Sequence, residues 1–249
     1  MGFGAIIIGE EIIRGKRQDK HFSKLVEIMG ERGLKLDWCT YLGDDPALIT
    51  GTLKRTLATD DVVFSFGGIG ATPDDHTRQC AAEALGVKIA LHPEAEAEIR
   101  ARFGGEVTPQ RLKMGEFPLG SEIIPNPFNR IPGFSVREHW FVPGFPQMAW
   151  PMAEWVLDTK YPHLFDRDRW AEGSIIVYLP ESTISPLMDE VNAKYAGLKC
   201  FSLPSMGPGG TRRHIELGVR GAPAEVEPAL EDLRKGVVAL GGHFDERKD

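Results

Sequence analysis

The chain has 249 residues, 42% hydrophobic and 26% charged, a balance that suits one large globular domain or a medium and a small one. Its net charge of −7 argues against a general nucleic-acid binder and against a protein drawn to acidic membranes. The three cysteines, Cys39, Cys80 and Cys200, are scattered and form no CxxC pair, which speaks against a disulfide framework or a cysteine zinc site and fits a reducing, cytoplasmic setting.

No segment is long and apolar enough to cross a bilayer, and Met1 to Ile8 lacks the basic start of a signal peptide, so Ala5 to Ile8 is expected to be the first core strand. Asp19 to Arg32 carries Phe22, Leu25, Val26 and Met29 at helical spacing and stops at Gly33. Leu34 to Leu42 reads as a strand ending in Gly43-Asp44-Asp45, and Pro46 opens a helix with Leu48, Ile49, Leu53 and Leu57 inward. Asp61 to Phe66 is a third strand, followed by Gly67-Gly68-Ile69-Gly70-Ala71-Thr72-Pro73-Asp74-Asp75 and a helix over Thr77 to Leu85. This alternation predicts an α/β fold with a mostly parallel sheet, in which ligands bind beyond the carboxyl ends of the strands. Acidic loops fall at those ends: Gly9-Glu10-Glu11, Gly43-Asp44-Asp45 and the glycine loop.

The middle is less regular. His92 to Phe103 and Thr108 to Met114 read as helical, and Glu122 to Ile124 and Trp140 to Val142 as short strands. Pro125 to Phe134 carries too many prolines for a helix or a central strand, and a helix is expected from Gln147 to Tyr161. Beyond a charged stretch at Asp166 to Gly173, strands at Ser174–Leu179, Lys199–Leu203 and His214–Arg220 alternate with helices at Ile184–Tyr195 and Pro223–Leu240, the pattern of a small α+β, ferredoxin-like domain. The expected division is therefore 1–168 and 169–249. The Gly207-Pro208-Gly209-Gly210 stretch with Arg212 and Arg213 could hold a phosphate, although a turn between strands accounts for it better.

The glycine loop admits two readings. Closely spaced glycines before a helix let backbone N–H groups approach a phosphate, with the helix N-terminus adding partial positive charge. Alternatively, Thr72 and Asp75 form a capping box with Pro73 at the first helical position, which leaves Gly67, Gly68, Gly70 and Asp74 unexplained. For Asp44 and Asp19 a helix-capping role is the expectation, and Asn126 is equally a ligand donor or the cap of its own turn. The histidines lack zinc spacing, His76 alone lying beside the loop, and there is neither a G-x-S-x-G elbow nor a P-loop.

Three ordered segments resemble one family. Ile7 to Gly15 is similar to the "GDE-(I/L)-L-x-G" opening of the MoCF (molybdopterin-binding) fold, in the branch of the N-terminal domain of competence/damage-inducible protein A (CinA). Gly67 to Asp75 resembles its "GG-(L/I)-G-x-TPDD" signature, and Pro125-Asn126-Pro127 through Met148 resembles its "PNPxGxAPGF…LPGVPxEM" region. Glu10 stands where the family has Asp, Asp19-Lys20-His21 where it has "DTN", and Gln147 where it has Glu. The resemblance implies a three-layer MoCF/MogA-like fold and a homo-oligomer, dimer or trimer. It implies a small phosphate-bearing ligand, either molybdopterin or a nucleotide diphosphate such as ADP-ribose cleaved with a divalent ion (Mg²⁺, Mn²⁺ or Co²⁺). On that reading Gly67, Gly68, Gly70, Thr72 and Asn126 bind the ligand. Asp74 and Asp75, with Glu10 or Asp44, hold the metal, and Glu11 is a further catalytic carboxylate. Loss of chemistry on a retained binding fold is the third alternative. After Asp166 about 80 residues remain, fewer than the amidohydrolase domain of longer relatives would need beside the small domain, so that activity is not expected.

Overall fold

Successive residues of β1 (Phe3–Ile8) are all buried, and they alternate between two apolar layers. Phe3, Ala5 and Ile7 face one core, Ile6 and Ile8 the other, as the two-residue period of a strand covered on both faces requires. The computed structural model describes residues 1–166, 171–206 and 213–247. They form two compact units, Met1–Phe165 and the segment from Asp166 onward. The expected boundary at 168/169 lies outside the described residues, as do the Gly207–Gly210 turn and Arg212.

In chain order the first unit contains β1, a single-turn α1 (Glu10–Ile13), α2 (His21–Gly30), β2 (Trp38–Leu42), α3 (Pro46–Thr56), β3 (Val62–Phe66) and α4 (Thr77–Leu85). There follow β4 (Ile89–Leu91), α5 (Pro93–Phe103), α6 (Pro109–Leu112), β5 (Glu116–Pro118), β6 (Glu122–Ile124), β7 (Gly133–Val136), β8 (His139–Val142) and α7 (Pro146–Lys160). The main sheet has the order β2-β1-β3-β8-β7-β6. β2, β1, β3 and β8 run parallel, while β7 is antiparallel to both of its neighbours. A separate antiparallel pair joins β4 to β5. Helices α2 and α7 cover one face, with Leu25, Met29, Met152 and Val156 against Phe64 and Phe66. Helices α3, α4 and α5 cover the other, with Ile49, Leu53, Ala81 and Ala95 against Val63 and Phe141. This is the expected three-layer α/β arrangement.

Two helices turn a slightly different face inward than their spacing suggests. In α2 the buried residues are His21, Leu25, Ile28 and Met29, and Phe22 and Val26 are exposed. In α3 Ile49 and Leu53 are buried, and Leu48 is exposed. The expected strand over Leu34–Leu42 shortens to β2, and the proline-rich loop ends in an unforeseen strand, β7, whose Phe134 stacks on Phe141 of β8 with ring centroids 4.4 Å apart.

The second unit holds β9 (Ala171–Val177), α8 (Glu181–Lys194), β10 (Leu198–Met206), β11 (Arg213–Gly221), α9 (Pro223–Ala239) and β12 (Phe244–Glu246). Its sheet is antiparallel throughout, in the order β10-β11-β9-β12. With β12 added to the expected elements, the βαββαβ succession and this order are those of a ferredoxin-like domain. Ile175, Val177, Leu217 and Val219 of its sheet share a core with Ile184, Val191, Leu230 and Leu233.

Candidate functional site

Parallel register brings the expected loops to one edge of the main sheet. Ile8 pairs with Leu42, Ile7 with Phe66, and Phe66 with Val142, so the chain leaves β1, β2, β3 and β8 side by side. The connection leaving β1 passes through α2 on one face and that leaving β3 through α4 on the other, which leaves a crevice between their ends at this edge. There a cavity of about 470 Å³ is lined by Gly9, Glu11 and Asp44, the stretch Gly67 to Thr72, Asp74 and Asp75. Arg17, Asn126, Asn129, Ile131, Phe145 and Met148 also line it.

The glycine loop is built by close approach. Gly67 (φ 99°) and Gly68 (φ 68°) occupy backbone conformations that favour glycine. A Cβ on Gly67 would stand 2.3 Å from the carbonyl oxygen of Ile8, so the loop lies against the end of β1. The buried Thr77 ties it from behind: its hydroxyl donates to Gly67 O at 3.0 Å and its N–H to Gly68 O at 3.0 Å. Arg78, 2% exposed, donates to Gly70 O at 2.6 Å. The N–H groups of Gly68, Ile69, Gly70 and Ala71 have no protein acceptor among the described residues.

Thr72 and Asp75 do form a box, but not at a helix start. Asp75 Oδ2 accepts from the Thr72 N–H at 2.9 Å and from its hydroxyl at 2.5 Å, closing a turn, while α4 begins only at Thr77. Thr72 and Asp75 thus shape the loop, leaving Asp74 as its exposed carboxylate at the cavity.

Asp44 departs from its expected role. The cap of α3 is Asp45, which accepts from Ala47 N and Leu48 N at 2.8 and 3.0 Å. Asp44 instead accepts from the Glu10 N–H at 3.1 Å and lines the cavity. Burial raises its carboxyl above the ordinary value, and the negative charges of Glu11, Asp74 and Glu10 push it the same way against the Glu10 hydrogen bond. Glu10 itself is not part of the cavity lining and pairs with Arg14 at 2.6 Å. Among the described residues no group of three or more His, Cys, Asp or Glu is placed to hold a metal ion, so Asp74, Asp75, Glu10 and Asp44 do not assemble into one ligand set.

Asn126 is a turn former. Its Nδ2 donates to Ile131 O at 2.9 Å and its Oδ1 accepts from Phe128 N at 3.0 Å. Asn129, which the sequence does not single out, lines the same cavity and spends its amide N–H on the weak acceptor Met148 Sδ at 3.1 Å. Asp19 has the capping role expected of it, accepting from His21 N and Phe22 N at 2.8 and 3.0 Å. His21 is buried, stacks on Phe66 at 4.7 Å and donates from Nε2 to Gly144 O at 3.1 Å, joining the exits of β3 and β8. Burial holds its pKa below the ordinary value. His76 precedes α4 with no side-chain capping bond and is not part of the cavity lining.

Comparison with known proteins agrees with this architecture. The family described as a probable molybdopterin binding domain matches residues 4–163. A CinA-like protein of an Anaeromyxobacter species is 35% identical over 235 residues, covering 92% of this chain and 49% of that protein. A CinA-like protein of Geobacter metallireducens is 28% identical over 253 residues, covering 95% of this chain and 59% of its own length. The chain thus spans between 49% and 59% of the length of these relatives. The crystal structure of the CinA protein of Thermoplasma acidophilum, described as of unknown function, is similar with a TM-score of 0.58 at 26% identity, over 64% of this chain and 98% of that one. The glycine loop at the crevice, the layered sheet and these matches together establish that the chain belongs to the molybdopterin-binding (MoCF) domain family, in its CinA-like branch.

Proposed function

We propose that the cavity binds a nucleotide diphosphate and hydrolyses it with the help of a divalent cation, ADP-ribose being the substrate of choice. The observation that carries this reading is the juxtaposition of unpaired N–H groups at Gly68 to Ala71 with the carboxylates of Glu11, Asp44 and Asp74 on one cavity. The N–H groups and Arg17, which also lines the cavity, suit phosphate oxygens, whereas the carboxylates outnumber that one cation and repel them unless a metal ion is shared. No protein cage for a resident metal exists among the described residues. Mg²⁺, however, is commonly held by one or two carboxylates plus ligand phosphates, and Asp74 and Asp44 fit that mode. Such an ion, or Mn²⁺ or Co²⁺, would supply neutralisation of the diphosphate and acidification of a bound water. Glu11 would accept the proton of the attacking water, and cleavage of the phosphoanhydride P–O bond would yield AMP and ribose 5-phosphate.

The test is incubation with ADP-ribose and each metal, following AMP by chromatography. AMP is expected with metal and wild-type protein, and a fall of at least about a hundredfold in Asp74→Ala. No AMP with any of the metals would sink the hydrolase reading. The second reading, binding of molybdopterin without turnover, is favoured by the family match and by the apolar lining residues Ile131, Phe145 and Met148, which suit a flat ring. Saturable pterin binding with no product would select it.

A further inference from the structure

Arg32 and Arg78 are both buried, and they are treated differently by their surroundings. Arg32 makes a two-pronged pair with Asp158, at 2.6 and 2.8 Å. Arg78 makes no ion pair among the described residues, and the carboxylates of Glu116 and Asp75 act on its charge only through space. Its guanidinium donates only to neutral carbonyls: Gly70 O at 2.6 Å, Glu116 O at 3.3 Å and Lys113 O. Its Nε is buried without any partner. A buried cation costs several kcal/mol unless an anion accompanies it. Asp75, the carboxylate nearest along the chain, is engaged by Thr72.

The peptide between Gly70 and Ala71 links this cation to the cavity. No peptide bond in the described chain is cis, so the Gly70 carbonyl and the Ala71 N–H point in opposite directions. With the carbonyl oxygen on Arg78, the Ala71 N–H is turned away from the guanidinium, and Ala71 lines the cavity with no protein acceptor for that N–H. A cation on the oxygen polarises the whole peptide unit and strengthens its N–H as a donor. The contact with Lys113 O also fixes the strap carrying Met114, another lining residue.

We propose that Arg78 is a positioning residue that supplies the fixed positive charge behind the phosphate loop, and that the ligand's phosphate completes the compensation that Glu116 and Asp75 only begin. This rests on the phosphate reading of the cavity, and the experiment separates the two. Binding of methylenediphosphonate, a diphosphate that resists hydrolysis, is measured by calorimetry with Mg²⁺ for the wild type, Arg78→Lys and Arg78→Gln, alongside the thermal unfolding of each. The wild type is expected to bind, Arg78→Gln to bind at least about tenfold more weakly, and Arg78→Lys, which keeps the charge, to recover to within about threefold. Arg78→Gln binding as the wild type does would overturn the inference alone. Arg78→Lys as weak as Arg78→Gln would also overturn it, by assigning the loss to the guanidinium's hydrogen-bond geometry and not to its charge. A wild type that fails to bind would remove the phosphate reading and this inference with it. Should Arg78→Gln not fold, the Arg78 Nε–H resonance of the wild type decides: it shifts on titration with the diphosphonate, or the inference fails.

Discussion

Asp44 and Asp45 are adjacent and chemically identical, yet Asp45 caps α3 while Asp44 reaches across to the N–H of Glu10. Both are good capping residues before Pro46, so the sequence does not say which is spent on the helix. The two substitutions should separate cleanly. Asp45→Ala is expected to cost about 1 kcal/mol of stability through the lost cap, measured by urea unfolding, with ligand binding unchanged. Asp44→Asn keeps an acceptor for Glu10 N–H and should leave stability nearly intact while weakening metal-dependent binding. Gly67→Ala should cost at least about 2 kcal/mol, since a methyl group would meet the backbone oxygen of Ile8 at a strained φ. Gly68→Ala, also at a positive φ, would meet the buried Thr77 hydroxyl at 2.2 Å and disturb its bond to Gly67 O, so it too is expected to destabilise the loop.

His139 gives a pH dependence with a definite sign. It is 1% exposed, its Nε2 lies 2.9 Å from Thr56 Oγ1, and burial, reinforced by Arg137, lowers its pKa to about 4 from the ordinary 6.5. Between these values the unfolded chain holds a proton that the folded protein refuses, so stability is full above pH 6.5 and falls as the pH drops towards 4. Between about pH 7 and about pH 5 the wild type should lose about 2 kcal/mol more than His139→Gln, which does not titrate. Equal losses in the two proteins would show that His139 carries no such linkage.

At the scale of elements, what the sequence displays is tied to how much of a period each segment contains. β1, β3 and α3 announce themselves because an apolar run or a repeat at three and four is bounded by Gly, Asp or Pro. β4, β5 and β12 have three residues each, too few to establish a two-residue period, and β7 hides behind the prolines that precede it. In α2, Val26 and Ile28 compete for the inward face, and packing against α7 selects Ile28, leaving Val26 exposed. The site divides in the same way. The glycines and the acidic loops are visible as a motif, but nothing in the sequence singles out Arg78 as buried. Only the converging carbonyls of Gly70, Lys113 and Glu116, distant in sequence, explain its burial. Asn129 and His21 are hidden for the same reason, since each acts through a residue far along the chain.

At the scale of the whole molecule, the described residues form separate cores. The two layers around the main sheet draw only on residues up to Phe165, and the core of the ferredoxin-like sheet only on residues from Ala171 onward. Every residue assigned here to the cavity lies in the first unit. Size supports independence, since a unit of about 165 residues is large enough to bury a sizeable core. A chain ending at residue 166 should therefore unfold cooperatively and bind methylenediphosphonate with the affinity of the full chain, within about threefold. An aggregated or non-cooperative fragment would show that the second unit is needed for folding. A folded fragment with much weaker binding would show that the second unit contributes to the site from outside the cavity. With affinity retained, the ferredoxin-like unit is separable from ligand binding, and its role must be sought on its own surface.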